Sequence, residues 1–116
     1  KDHGEGGVFV GYTPKQGEDI VIVEDVVTAG TAIRESMAIL SKLEGTKVAA
    51  TFVMVDRKEK GQTDKSAIAE VGEEYGFPVY SVVDVYDIIE YLEENESNRE
   101  NVERIKKYLE VNGAKA

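Results

Sequence analysis

The sequence predicts an α/β fold, a parallel sheet flanked by helices, and three observations lead to it. Apolar runs rich in β-branched residues stand at 20–23, 48–55 and 79–83. Each is followed by a stretch whose apolar residues recur at helical spacing. The runs are continuous rather than alternating, which is the pattern of strands covered on both faces. Strands that alternate with helices imply right-handed crossovers and parallel neighbours.

Taken in order, residues 1–7 (KDHGEGG) place three glycines among charged side chains, with no apolar face to bury. A mobile, solvated loop is expected there. Residues 8–12 (VFVGY) read as a short edge strand, and 13–19 as a turn around Pro14 and Gly17. The run IVIV at 20–23 is the first buried strand. A helix over 32–43 follows, with Ile33, Met37 and Leu40 on one face and Gly45 just past its end. Residues 48–55 (VAATFVMV) form the second buried strand. The spacing then predicts a helix over 64–75, with Thr63 able to cap it, Ile68, Val71 and Tyr75 facing inward, and Gly76 and Pro78 ending it. Residues 79–83 are the third strand and 86–94 the third helix. Ser97 and Glu100 stand at capping-box spacing ahead of a last helix carrying Val102, Ile105 and Leu109.

At 116 residues the chain is read as one domain. No internal repeat or low-complexity linker divides it. Three parallel strands and one edge strand make a thin sheet, and the first residue is Lys1 rather than Met. Further strands are therefore expected upstream. The net charge of −9 repels nucleic-acid phosphates and anionic lipid, so neither partner is expected. Any phosphate must be held locally, by backbone amides, a metal ion or a few placed cations. With no cysteine and one histidine, disulfides, thiolate metal sites and multi-histidine sites are excluded within the chain. The apolar run at 48–55 falls far short of the ~20 residues that span a bilayer. No signal peptide is visible, and a cytoplasmic location is expected.

The chemistry is concentrated at 20–36, IVIVEDVVTAGTAIRES. A buried strand delivers two carboxylates, Glu24 and Asp25, and a short loop of small and hydroxyl residues leads into a helix. Ligands of open α/β sheets sit at the carboxyl ends of strands. The helix start presents free N–H groups and the positive end of its dipole, Thr28 and Thr31 add hydroxyls, and Gly30 lets an anion approach the backbone. Carboxylates beside a phosphate make sense if they accept hydrogen bonds from sugar hydroxyls or help hold Mg²⁺. A sugar phosphate such as ribose 5-phosphate satisfies both halves. The plainer alternative is an aspartate that merely caps the helix, a reading that two adjacent acids at the end of an apolar strand make harder to hold.

The stretch VIVEDVVTAGTA closely resembles the phosphoribosyl-diphosphate signature of type I phosphoribosyltransferases. That resemblance implies a type I phosphoribosyltransferase (Rossmann-like) fold, here lacking its amino-terminal strands and hood. It also implies that Glu24 and Asp25 contact the ribose hydroxyls, and that Val26, Val27, Thr28, Ala29, Gly30, Thr31 and Ala32 wrap the 5′-phosphate. Two further segments resemble the orotate phosphoribosyltransferases within that family. KDHGEGG is similar to their mobile catalytic loop, which closes over the active site of the neighbouring subunit. The match implies a homodimer, with Lys1 and His3 reaching the diphosphate and acting with Asp25 as catalytic residues. MVDRKEKG, at 54–61, is similar to the family's D-R-x-E-x-G segment, so that Arg57 would take the carboxylate of orotate and Thr28 a second contact to the base. An Arg fork suits a planar carboxylate. The resemblance spans the chain, as the carboxyl-terminal portion of such an enzyme. It implies transfer of phosphoribosyl from phosphoribosyl diphosphate to orotate in pyrimidine biosynthesis, with Mg²⁺ bound mainly through the substrate. Rival readings are a purine-type phosphoribosyltransferase, a non-catalytic sensor of phosphoribosyl diphosphate, and an inactive fragment that keeps part of the site.

Overall fold

A computed structural model describes residues 9–27 and 29–115 of the chain. Strand β1 (Asp19–Val27) leads to helix α1 (Thr31–Leu40), strand β2 (Lys47–Asp56), helix α2 (Ala67–Tyr75), strand β3 (Val79–Asp84) and helix α3 (Val85–Glu93). A 3₁₀ turn (Glu96–Asn98) then precedes helix α4 (Arg99–Asn112). The strands form one parallel sheet in the order β1-β2-β3, so each crossover between neighbours runs through a helix. This is the α/β architecture that the alternating pattern predicts. Among the described residues no helix is long and apolar enough to cross a membrane.

The core lies where α1 and α2 meet the sheet. Ile33 of α1 and Ala67 and Val71 of α2 close on Val27, Val53 and Phe77, with Met37, Ile68 and Tyr75 packed around them. Burying each such side chain contributes roughly 1.5–3 kcal/mol, which is what holds two short helices in place. Helices α3 and α4 pack on each other and bury Ile89 and Val102.

The structure differs from the sequence expectations in several places. Residues 9–12 form no strand, and Val10 and Tyr12 are exposed. A strand exists only by pairing, and nothing among the described residues pairs with this segment. The three strands are not covered on both faces. Val21, Val23, Phe52, Met54, Tyr80 and Val82 are all exposed, Val23 by 72% and Val82 by 69%. A continuous apolar run permits double burial but does not supply the second layer. Strand β1 also runs further than expected, because β2 pairs with it to the end: Glu24 lies opposite Val53 and Val27 opposite Asp56. The two carboxylates therefore sit inside the strand rather than after it.

Helix boundaries shift for local reasons. Helix α1 stops at Leu40, where tight turns take over as Lys42 and Leu43 donate to the carbonyls of Ile39 and Leu40. Helix α2 begins at Ala67, and its cap is Ser66, whose hydroxyl accepts from the Ala69 amide at 3.1 Å. Thr63 is engaged elsewhere. The expected Ser97–Glu100 box does not form; Asn95 accepts from the Ser97 amide instead, and α4 starts without a side-chain cap. A capping box does form at α3, between Asp84 and Asp87.

Candidate active site

Two segments leave the carboxyl end of the sheet side by side, one after β1 and one after β2. The first is short. The chain enters α1 through Gly30, which adopts φ 83°, ψ 8° and donates no side chain to the cap. This left-handed conformation favours glycine. Packing favours it too, since a Cβ here would stand 2.8 Å from the methyl of buried Val71. The Gly30 carbonyl accepts the first helical bond, from Arg34 N at 3.0 Å. The turn thus points the free amides of α1 at the space above β1, and an anion is favoured at such a helix start.

A cavity of about 300 Å³ opens there. Of the residues singled out in the sequence, Glu24, Val26, Val27, Gly30, Thr31 and Ala32 line it. Ile33 and Glu35 complete the wall. Asp25 and Ala29 are not among its lining residues. Adjacent strand residues project to opposite faces, and Glu24 is half-buried while Asp25 is exposed, with its Oδ1 accepting from the Val26 amide at 2.6 Å. The Ala29 carbonyl accepts from Arg34 Nη1 at 2.7 Å. Lys1, His3 and Thr28 lie outside the described residues.

Arg34 and Glu35 are additions that sequence reasoning missed. Arg34 ties the turn to α1 and, through Glu74 Oε1 at 3.1 Å, to α2. The only sequence signal was an arginine one turn into the helix after T-A-G-T, facing a loop carbonyl that needs a donor.

The second segment, 57–66, is long and braced. Buried Asp56 ends β2, and its Oδ1 accepts from the Lys58 amide at 2.8 Å. Lys58 itself takes φ 56°. Arg57 is about half exposed, and its Nε lies 2.9 Å from Glu59 Oε1. It lines a separate cavity of about 290 Å³ floored by Val85, Ile88, Ile105 and Leu109. Arg57 is thus not brought into the Glu24–Ala32 cavity, although Val27 and Asp56 pair at the root of the two segments. Further along, Glu70 of α2 accepts from the amides of Gln62 and Thr63, at 3.0 and 2.7 Å, and from the Thr63 hydroxyl at 2.6 Å. These bonds, the Thr63 hydroxyl foremost, hold the Glu70 carboxyl below the usual carboxylate range. They also explain why Thr63 does not cap the helix. Gly61 leaves room for this carboxylate, which a Cβ would overlap.

No protein-family model matches the chain. The chain is 52% identical over 83 residues to an orotate phosphoribosyltransferase of Marinobacter nauticus, a match covering 72% of this chain and 38% of that protein. It is 43% identical over 83 residues to the enzyme of that name from Clostridium acetobutylicum, covering 72% of the chain and 37% of the relative. The matched segment therefore spans little more than a third of the curated relatives. Among solved structures, the orotate phosphoribosyltransferase of Francisella tularensis superposes with a TM-score of 0.73 at 32% identity, over 94% of this chain and 53% of that one. The Aeropyrum pernix structure of the same name gives a TM-score of 0.54 at 32% identity, over 68% of this chain and 42% of its own. Sequence and backbone agree with the motifs: over the matched segment the chain is similar to orotate phosphoribosyltransferases, and it carries the type I phosphoribosyltransferase fold.

Proposed function

We propose that the chain is the carboxyl-terminal, phosphoribosyl-diphosphate-binding portion of an orotate phosphoribosyltransferase, which converts orotate and phosphoribosyl diphosphate into orotidine 5′-monophosphate and diphosphate for pyrimidine synthesis. The observation that carries this reading is the turn at Gly30, where a carboxylate-bearing strand meets a helix start over one cavity. The 5′-phosphate takes the amides and hydroxyl at Gly30–Ala32. Glu24 accepts from a ribose hydroxyl at the cavity wall, and Asp25 is assigned to the ribose by the motif alone, since it projects from the other side of the strand.

The base displaces diphosphate at C1′ through an oxocarbenium-like transition state, so the protein's part is positioning and electrostatics rather than nucleophilic attack. Charge grows on the leaving diphosphate, and Lys1 and His3, on a loop closing from the other subunit of a homodimer, meet it there. Cations delivered by closure stabilise the transition state more than the ground state. Arg57 takes the orotate carboxylate, and Thr28 contacts the base. Mg²⁺ neutralises the diphosphate when bound. Among the described residues no group of three or more His, Cys, Asp or Glu side chains is arranged as a metal cage. Glu24 and Asp25 diverge from each other, which suits an ion carried mainly by substrate oxygens and water. A cytoplasmic location goes with this reading.

The test is isothermal titration with phosphoribosyl diphosphate and Mg²⁺, repeated for Asp25→Asn and Glu24→Gln. Binding should weaken at least about tenfold in each variant, a loss of about 1.4 kcal/mol. A folded protein that binds with wild-type affinity after both substitutions sinks the assignment of 24–32 as the sugar-phosphate site.

A further inference from the structure

Arg57 belongs to a relay that reaches the far end of the chain. Glu59 divides its carboxylate between two partners: Oε1 meets Arg57 Nε at 2.9 Å, and Oε2 accepts from the Tyr108 hydroxyl on α4. The Glu59 side chain is only 14% exposed, so this is not a loose surface ion pair. Its backbone is held as tightly. The Glu59 carbonyl accepts from Ala67 N at 3.2 Å, and Glu59 pairs with Gly113 in an isolated antiparallel bridge. On either side, Lys60 N donates to Asn112 O at 2.9 Å and Ala114 N to Lys58 O at 2.7 Å. Lys115 N closes the clamp on Asp64 O at 2.8 Å. The residues after α4 are thus a strap across the segment that carries Arg57.

We propose that Glu59 is the positioning residue for Arg57, holding the guanidinium by its Nε edge so that the two terminal nitrogens form the fork for a planar carboxylate, with Tyr108 and the strap at 112–115 holding Glu59. The inference rests on Arg57 being the residue that takes the orotate carboxylate. A guanidinium has five N–H donors, and using the Nε one leaves the end-on pair intact. Among the described residues, Glu59 is the only carboxylate in an ion pair with Arg57. An unheld arginine would lose rotamer freedom on binding, and a pre-held one has already lost it, so orotate gains affinity without a new contact. The Glu59 bond pushes the Tyr108 hydroxyl above its ordinary pKa. The arrangement also gives four residues of this segment a physical role. Asp56 turns the chain, Arg57 binds, Glu59 aims it, and Gly61 admits Glu70.

The experiment uses the full-length protein and four variants: Arg57→Ala, Glu59→Ala, Glu59→Gln and Tyr108→Phe. Orotate and phosphoribosyl diphosphate affinities are measured for each, with solvent exchange of the Arg57 Nε proton followed by NMR. Glu59→Ala should weaken orotate about tenfold, with phosphoribosyl diphosphate changed less than about twofold. It should also expose the Nε proton. Glu59→Gln, which keeps an acceptor, should recover most of the loss. Tyr108→Phe, the mildest change, should loosen the Nε proton without unfolding the protein. If Arg57→Ala removes orotate binding while Glu59→Ala leaves it intact, the positioning role is overturned and the assignment of Arg57 stands. If Arg57→Ala leaves orotate affinity unchanged, the assignment of Arg57 falls, and the positioning role falls with it. A wild-type Nε proton exchanging as fast as that of free arginine overturns the proposal whatever orotate does.

Discussion

The segment after β1 and the segment after β2 begin one sheet spacing apart and are built on opposite plans. The first reaches its helix almost at once and depends on a single backbone conformation at Gly30, backed by Arg34 reaching to the Ala29 carbonyl. The second takes ten residues to reach α2, and its shape comes from α2, α4 and the strap behind it. On the proposed function the first segment presents amides to a phosphate, which a tight turn into a helix does by itself. The proposed role of the second segment is to aim Arg57 at a carboxylate, and aiming a long arginine requires neighbours. The first segment should therefore break at one residue, and the second should loosen in steps.

The largest effect is expected at Gly30. Gly30→Ala combines a left-handed residue with overlap on buried Val71. Roughly 1–2 kcal/mol of backbone strain and 1–3 kcal/mol of overpacking should appear as a lower denaturation midpoint in urea. Ser66→Ala, at the far end of the second segment, removes only the cap on Ala69 N. Its cost should be about 1 kcal/mol by the same measurement. If Ser66→Ala proves the more damaging of the two, the contrast between one-point and distributed support is wrong.

The smallest effect is local and depends on pH. Glu70 has a folded pKa below its unfolded one, so its bonds are present at neutral pH and lost as pH falls through the lowered value. Amide exchange at Gln62 and Thr63 should therefore quicken beyond the intrinsic trend below the usual carboxylate range, while the Gly30 turn stays unchanged. Glu70→Ala should make that exchange fast at neutral pH and remove the pH response. Equal loosening at Gly30 would mean that the two segments are coupled.

Much of the first segment could be read from the residues because its determinants are neighbours in the chain. A β-branched run, two acids, T-A-G-T and an amphipathic stretch are enough to place a strand, a tight turn and a helix start. The second segment offered only a motif. Arg57 and Glu59 both stand in it, but what holds Glu59 could not be read, since Tyr108 lies 49 residues from Glu59 in the chain. Arg34 and Glu74, 40 residues apart, were hidden for the same reason. Thr63 and Ser66 were equally good caps by type, and Glu70 decided between them by taking the Thr63 hydroxyl.

The sequence by itself determined the alternation of strands and helices, the parallel sense of the sheet and the position of the phosphate-type turn. Those follow from backbone propensity, side-chain periodicity and the conformational freedom of one glycine, all of which act over a few residues. Only the tertiary structure decided that 9–12 finds no partner strand among the described residues, that one face of each strand stays open, that Glu24 and not Asp25 lines the cavity, and that Tyr108 reaches Glu59. Each of these depends on which distant surface arrives alongside. Pairing, covering and aiming are relations between segments, and a local pattern encodes only one side of each.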